Sequence, residues 1–167
     1  HDDWQMHPLT VLQLLALLLL ANGSPVVGKK ILGDRLAYPL DGNVRFFDGR
    51  PLFGASKTVR GIFLGVGVPT IGAPLLGLDW RVGAVVGSGA MVGDLLSSFV
   101  KRRFDYVPSS RATGLDQIPE SLLPLIASRF LLSLSVLDIA VGTLVFFIGE
   151  VALSRLLYKI HLRDRPY

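Results

Sequence analysis

The stretch GDLLSSFVKRRFDYVPSSRATGLDQIPE, residues 93–120, decides how this 167-residue chain is organised. It begins where an apolar, glycine-rich run ends, and it stops where the next apolar run begins. Two isolated acids, Asp94 and Asp116, stand on either side of the basic cluster KRR at 101–103. Acids close to cations at the boundary of a membrane segment are typical of sites for a metal ion and phosphate groups. We interpret the other segments as the means of placing this stretch at a membrane surface.

The composition indicates a membrane protein. Half of the residues are apolar and the mean hydropathy is +0.51, values that a soluble domain of this size rarely reaches. In a membrane protein, a net charge of +4 indicates the membrane orientation and a preference for anionic partners. We therefore expect no nucleic acid partner. Because the chain has no Cys, disulfides and thiolate metal sites are excluded. The sequence has no internal repeat, and residues 1–167 are interpreted as one membrane-embedded domain.

The first apolar run, residues 8–21, is short for a membrane span, which needs about 20 residues, but its flanks make it long enough. A signal peptide is the alternative, since Ala21 and the two residues after it resemble a small-residue cleavage site. The acids at positions 2 and 3 contradict the positive n-region of a signal peptide, so we favour a retained helix. The polar segment 22–60 contains three prolines and many glycines, so a continuous helix is not expected there.

Four further apolar runs follow, at residues 61–78, 82–92, 118–135 and 139–158. Together with the first run they predict an all-α integral membrane protein with about five transmembrane helices. Pairs of glycines four residues apart predict that the third helix approaches its neighbours closely. These pairs are Gly83 with Gly87 and Gly89 with Gly93.

The distribution of Lys and Arg predicts the orientation. Fifteen of the seventeen lie in residues 22–60, 94–120 and 155–167, and with five spans these regions share one side of the membrane. The positive-inside rule then places the N-terminus outside, and the C-terminus and the two long loops in the cytoplasm. We therefore expect a multi-pass protein of the cell membrane, inner or plasma, with its site facing the cytoplasm.

The first long loop has the side chains of an anion site. Lys57 supplies a point charge, Thr58 a hydroxyl and Arg60 a forked donor for phosphate oxygens. A Walker A loop is excluded, because only two residues separate Gly54 from Lys57. The alternative is a basic loop that contacts anionic lipid headgroups, and composition alone does not separate the two interpretations.

The second long loop supplies the acids. Asp94 and Asp116 suit a Mg²⁺ ion that bridges substrate phosphates. The alternative for Asp94 is an acid at a helix end that pairs with Lys101 or Arg102. Because two such acids flank a basic cluster and a second basic loop lies on the same face, both interpretations stay open.

A small transporter of an anionic or lipid-like substrate is the alternative to an enzyme. It would require ionisable residues along a path near the membrane midplane, and only Arg129, Asp138 and Glu150 are candidates. Most of the charge lies at one surface instead, which suits a surface reaction better. A CDP-alcohol phosphotransferase would need an acid-rich DGxxAR…GxxxD…D run, which the sequence lacks.

Four motifs, taken in order, resemble the CDP-archaeol synthase family, which is related to the phosphatidate cytidylyltransferases (CDP-diacylglycerol synthases). They are ANGSP at 21–25, DGRPLFGASKTVRG at 48–61, GDLLSSFVKRR at 93–103 and LDQIPESLLPL at 115–125. The resemblance covers nearly the whole chain. It implies an integral membrane cytidylyltransferase, a nucleotidyltransferase of phospholipid biosynthesis. Such an enzyme uses CTP and Mg²⁺ to convert a membrane lipid phosphate into a CDP-lipid, with release of pyrophosphate.

The resemblance also implies roles for individual residues. Asp94 and Asp116 match the two metal-binding acids of the family. The cations assigned to catalysis are Lys57, Arg60, Lys101 and Arg102. The residues assigned to substrate binding are Asn22, Pro25, Asp48, Thr58, Ser98 and Arg103.

The chain departs from the bacterial diacylglycerol enzymes, whose second half carries a glycine-rich HGG…DR segment. Its absence favours the archaeol-type subfamily and leaves the nucleotide contacts open. The product is expected to be CDP-archaeol or CDP-diacylglycerol, and the sequence decides neither this choice, nor the number of metal ions, nor whether the chain forms a homo-oligomer. Since a lipid phosphate is already anionic near neutral pH, no side-chain base is required, and catalysis should depend on positioning and charge neutralisation.

Overall fold

The computed structural model describes residues 4–107 and 112–159. Five α-helices account for most of this part of the chain: α1 (Pro8–Leu32), α2 (Val59–Leu75), α3 (Trp80–Arg103), α4 (Gln117–Ser128) and α5 (Val136–Lys159). Helix α3 packs against α1, α2 and α4, while α5 packs against α4 and α1. The all-helical architecture expected from the sequence is therefore confirmed, and α3, which carries the first half of the stretch 93–120, lies at its centre.

Three of the helices are long and apolar enough to cross a membrane, at Pro8–Leu32, Trp80–Arg103 and Val136–Leu156. Helix α2 is apolar but shorter, with 17 residues. Helix α4 has 12 residues, or about 18 Å, and does not fill the predicted run 118–135. It ends at Ser128 and is followed by turns in which the carbonyl of Ser128 accepts bonds from two backbone N–H groups. The expected fourth span is thus a short helix followed by non-helical backbone.

Helix α1 extends further than the expected first span, whose C-terminal flank reached only Val27. It begins at Pro8, where the missing N–H costs nothing because the first turn has no partner for it. It then passes through Pro25 and stops at Gly33, whose φ of 54° most other residues avoid. On either side of Pro25 the helix packs against α2: the Ser24 hydroxyl donates to the Leu64 carbonyl at 3.0 Å, and Gly28 lies against the Leu64 side chain.

The glycines of α3 allow the close helix approach that the sequence predicts. A Cβ atom at Gly83 would overlap the backbone carbonyl of Pro69 in α2, and one at Gly93 would overlap the Pro119 carbonyl in α4. Gly87 and Gly89 make equally close approaches to these two helices. The prediction of small-residue contacts is confirmed: Gly83 and Gly87 face α2, and Gly89 and Gly93 face α4.

The start of α5 is joined to the start of α1. Ser135 and Asp138 form a reciprocal capping arrangement, in which each backbone N–H donates to the other side chain at 3.0 Å. The buried carboxylate of Asp138 also accepts from the backbone N–H of His7 and contacts its Nδ1, both at 2.7 Å. One candidate for a transport path, Asp138, therefore has a structural role where two helix N-termini meet.

Candidate functional site

The loop before α2 places Lys57 against α3. Its backbone is fixed by a bond from Leu40 N–H to the Lys57 carbonyl at 2.8 Å and by an antiparallel bridge between Pro39 and Thr58. The Lys57 Nζ lies 2.5 Å from both carboxylate oxygens of Asp94. Asp94 is therefore paired with a lysine 37 positions away, whereas the sequence alternatives considered only Lys101 and Arg102. Since these two side chains are 21% and 24% exposed, a ligand can reach the pair.

A second carboxyl group stands beside Asp94. Glu120, in the first turn of α4, is buried, and its carboxyl group lies within hydrogen-bonding reach of that of Asp94. The close packing of Gly93 on Pro119 brings the two helices together at this point. Lys57 and Glu150 are also close enough to act on Glu120 electrostatically. Sequence reasoning missed Glu120 as a site residue, although its place four residues after Asp116, one helical turn away, could have revealed it.

The second predicted acid has its own basic partners. Asp116 lies immediately before α4, and its Oδ1 is 2.7 Å from the Nζ of Lys101. Its other oxygen accepts from the backbone N–H of Ala112 at 2.9 Å. The guanidinium of Arg102 interacts with it electrostatically. Asp116, Lys101 and Arg102 are all buried, so the predicted acid and two of the predicted cations form one compact cluster.

One face of α3 presents buried polar atoms that have no hydrogen-bond partner among residues 4–107 and 112–159. Asp94, Ser98 and Arg102 recur every four residues and therefore share a helix face. Ser98 is 1% and Arg102 4% exposed, and within the described residues Ser98 Oγ and Arg102 Nε and Nη1 have no hydrogen-bond partner. Within that part of the chain, Arg102 donates from Nη2, to the Val107 carbonyl at 3.1 Å. Because a buried donor without a partner is costly, these atoms indicate a place for an anionic ligand.

Arg103 docks the first long loop onto the end of α3. Its guanidinium lies over the rings of Phe46 and Phe99, 4.9 and 4.8 Å from their centroids. Its Nη1 pairs with Asp48 at 3.1 Å, and its Nη2 donates to the Pro51 carbonyl at 2.6 Å. The predicted substrate-binding residues Asp48 and Arg103 are therefore engaged with each other.

Arg50 adds a second connection between the same two elements. Its Nη2 pairs with Asp105 at 2.6 Å, and its Nη1 donates to the backbone carbonyl of Arg103. The loop that carries Lys57 is thus anchored to the α3 terminus at several points.

Four other predicted site residues are occupied by backbone groups or by packing. The Thr58 hydroxyl caps α2 by accepting from Gly61 N–H at 3.1 Å. Arg60 is buried, and its Nη1 donates to the carbonyls of Gly33 and Arg35 at the end of α1. The remaining two lie within α1, where Asn22 donates to the Leu18 carbonyl and Pro25 packs near Gly61.

The carboxylates present fit a magnesium ion that is bound together with phosphates. Mg²⁺ usually retains several waters and uses one or two carboxylates besides the phosphates of its substrate. Among the described residues, no three His, Cys, Asp or Glu side chains lie together as a self-sufficient metal site. Asp94 with Glu120 provides the smaller donor set that such an ion requires, whereas Asp116 is paired with Lys101.

Together these features define a helical protein of membrane type with a cluster of charged side chains at the junction of α3, α4 and the loop before α2. A family model described as CarS-like CDP-archaeol synthase matches residues 78–167. The CDP-archaeol synthase of Sulfurisphaera tokodaii is 31% identical over 157 residues, which cover 89% of this chain and 90% of the relative. The chain belongs to the CDP-archaeol synthase family, so the resemblance drawn from the sequence motifs is confirmed.

Further comparisons agree with this assignment. The CDP-archaeol synthase of Pyrococcus furiosus is 43% identical over 107 residues, which cover 58% of this chain and 60% of that relative. A solved structure, described as an intramembrane enzyme for archaeal membrane lipid biosynthesis, superimposes with a TM-score of 0.73. It is 28% identical and the match covers 84% of this chain and 90% of that chain.

Proposed function

We propose that this chain is a membrane cytidylyltransferase that makes a CDP-activated lipid and pyrophosphate from CTP and a lipid phosphate, with Mg²⁺. The observation that carries the proposal is the α3 face on which the donors of Ser98 and Arg102 are buried, with no hydrogen-bond partner in the described part of the chain, on the same helix as the Asp94 ion pair. Such donors can bind phosphate oxygens, and the adjacent carboxylates can bind the cation that accompanies a nucleoside triphosphate. Membership of the CDP-archaeol synthase family supports the same chemistry.

The reaction needs positioning and charge neutralisation more than proton transfer. An ionised oxygen of the lipid phosphate attacks the α-phosphorus of CTP, and the bond from that phosphorus to the pyrophosphate oxygen breaks. Mg²⁺, when bound, neutralises phosphate charge and orients the leaving group. Arg102 and Ser98 would hold phosphate oxygens through their unpaired donors. Lys57 and Lys101 would supply positive charge to the triphosphate or the lipid phosphate.

The same proposal includes the membrane arrangement. We place the site at the cytoplasmic face of the cell membrane, because the basic residues concentrate in the two loops that build it. Helices α2 and α4, though short, would lie within the bilayer alongside the three long helices, since both pack against α3 and expose apolar side chains such as Phe63 and Ile126.

The direct test supplies purified protein with Mg²⁺, radiolabelled CTP and one acceptor at a time, either phosphatidate or digeranylgeranylglyceryl phosphate. We expect a labelled CDP-lipid from at least one acceptor, and a loss of about 100-fold or more in the Asp94→Asn protein, because a metal carboxylate and a charge partner are lost together. Thermal unfolding must show that the variant is folded. Absence of a CDP-lipid from both acceptors with folded wild-type protein would refute the proposal.

A further inference from the structure

We propose that Lys57 and a divalent cation compete for the carboxylate of Asp94, so that the cation and a nucleotide triphosphate bind cooperatively. The inference rests on the proposed function, because it concerns how that site takes up its two charged ligands. It follows from the arrangement of Lys57, Asp94 and Glu120, which no sequence motif reveals.

The contact between Lys57 and Asp94 covers the carboxylate. The Nζ lies 2.5 Å from both oxygens, so that the amine faces the edge of the carboxylate where a cation would otherwise bind. Glu120 is within hydrogen-bonding reach of the same group. A cation that coordinates Asp94 must therefore displace the amine.

Charge balance explains why the Lys57 ammonium lies against Asp94 and which ligand can replace it. Two adjacent carboxyl groups repel each other when ionised, and Lys57 supplies a single compensating charge. A divalent cation would supply two charges to Asp94 and Glu120, but it would release the Lys57 ammonium without a partner. A triphosphate provides that partner, since phosphate oxygens accept lysine ammonium bonds readily.

Lys57 is able to make this change of partner. Its side chain is a flexible four-carbon stem, and it is 21% exposed at the mouth of the pair. When the lysine turns from Asp94 to a phosphate, each ligand removes an obstacle to the other. By linkage, the triphosphate must then raise the cation affinity by the same factor as the cation raises the triphosphate affinity.

The experiment measures Mn²⁺ binding by electron paramagnetic resonance, with and without a non-hydrolysable CTP analogue, for detergent-purified wild-type and Lys57→Met protein. We expect the analogue to raise the Mn²⁺ affinity of the wild type about tenfold or more. Without the analogue, the Lys57→Met protein should bind Mn²⁺ about tenfold more tightly than the wild type, because its competitor is gone, and the further gain from the analogue should be smaller.

The matched control is Lys30→Met, which removes the same charge from an exposed position on α1 and should leave the Mn²⁺ affinity within about twofold. Lys57→Gln is a second variant that keeps a polar side chain, and it serves if the Met protein does not fold. Unchanged or weaker Mn²⁺ binding in the folded Lys57 variant would overturn the inference.

The competition between Lys57 and the cation for Asp94, here called the exchange, can fail independently of the proposed function. The two failures give different results. If the wild type forms a CDP-lipid but removal of Lys57 does not tighten Mn²⁺ binding, the exchange is wrong and the function stands. If no CDP-lipid forms from either acceptor although the Mn²⁺ results are as expected, the exchange stands and the function is wrong.

Discussion

Two adjacent serines in α3 separate a structural hydroxyl from one that is available to a ligand. Ser97 and Ser98 are both 1% exposed. The Ser97 hydroxyl donates to the backbone carbonyl of Asp94 at 3.0 Å, whereas that of Ser98 has no partner among the described residues. The two residues are therefore of the same type and equally buried, and they differ in whether the hydroxyl already has a protein partner in the described part of the chain.

We predict that Ser98→Ala weakens CTP binding about tenfold, the value of one hydrogen bond to a charged group, without lowering the thermal stability. Ser97→Ala is the matched control, and it should lose a little stability while its CTP affinity changes less than about twofold. Equilibrium binding of labelled CTP and thermal unfolding in detergent measure both quantities. Equal losses of affinity in the two variants would show that Ser98 has no special contact with the ligand.

Asp41 organises the loop that carries Lys57. Burial raises the pKa of its carboxyl group, but bonds from the backbone N–H groups of Phe53, Gly54 and Asn43 outweigh this effect and leave the pKa below 3.8. Because the pKa of Asp41 is lower in the folded protein, its ionised carboxylate stabilises the loop at pH values above the pKa that this group has in the unfolded chain. That stabilisation is lost as the pH falls through the folded pKa.

We predict that Asp41→Asn increases hydrogen exchange at the amides of Phe53 and Gly54 about fivefold near neutral pH. The difference between wild type and variant should shrink only as the pH falls through the lowered pKa of Asp41 in the folded protein, because the wild-type carboxylate is then protonated as well. Exchange monitored by mass spectrometry at a series of pH values measures this difference. Asp34→Asn, an exposed acid of the same loop, should show no such effect, and a difference independent of pH would contradict the assignment.

For individual residues, the sequence identifies which residues belong to the candidate site better than it identifies which side chains they contact. Asp94, Asp116, Lys101 and Arg102 could be selected because isolated acids around a basic cluster are informative in an apolar chain. The ion pair of Asp94 with Lys57 could not be predicted, because it depends on how a loop of 26 residues, 33–58, folds back onto α3. The position of Glu120 one helical turn after Asp116 could have suggested it as a site residue, but its contact with Asp94 depends on the packing of α4 on Gly93.

Among the elements, α3 depends on the contacts of its glycines. An added methyl group at Gly93 would overlap the backbone of Pro119 and Glu120, and backbone cannot move aside as a flexible side chain can. Gly67, in α2, has nothing within 4 Å of the position of such a methyl group. The two glycines therefore test helix contact and intrinsic helix propensity separately.

We predict that Gly93→Ala destabilises the protein by about 1–3 kcal/mol and lowers activity, because α4 must move away from α3 and carry Glu120 and Asp116 with it. Gly67→Ala should be neutral or slightly stabilising, since Ala favours helix over Gly. Thermal unfolding in detergent compares the two. If both variants unfold at the wild-type temperature, the close contact of α3 with α4 is wrong.

The helix boundaries show where local sequence rules are insufficient. The prolines and glycines of residues 22–60 correctly predicted that this segment is not one continuous helix, but α1 runs to Leu32, beyond the expected limit at Val27, where it packs against α2. The apolar run 118–135 predicted a full span, but only 12 residues are helical, since hydropathy reports burial and not backbone conformation. Ser135 and Asp138 then begin α5, a start that the S-x-x-D pattern could have revealed.

For the whole molecule, one end of α3 carries the site and the other end carries Trp80, more than 20 residues away. The loop 33–58 and the start of α4 both meet the site end, through Lys57 and Asp116 respectively. A surface reaction between a soluble nucleotide and a membrane lipid requires this polarity, because the charged groups must lie at the boundary between water and bilayer. The charge distribution of the sequence predicts that this boundary faces the cytoplasm.

The orientation can be tested directly because the natural chain contains no cysteine that would react with a thiol reagent. Val44 is 57% exposed in the loop 33–58, and Trp80 is 55% exposed at the opposite end of α3. A cysteine at either position should leave the helix contacts intact, since neither side chain belongs to the core. The pair therefore reports on the two faces of the membrane in one background.

We predict that, in intact cells, a membrane-impermeant maleimide labels Trp80→Cys but labels Val44→Cys only after the membrane is permeabilised. The reason is that basic loops are retained on the cytoplasmic side, and the loop 33–58 belongs to the most basic part of the chain. Labelling after denaturation shows that both cysteines are present and reactive. The reverse pattern would place the Lys57–Asp94 pair outside the cell, away from the cytoplasmic nucleotide pool, and so would contradict both the orientation and the proposed use of CTP.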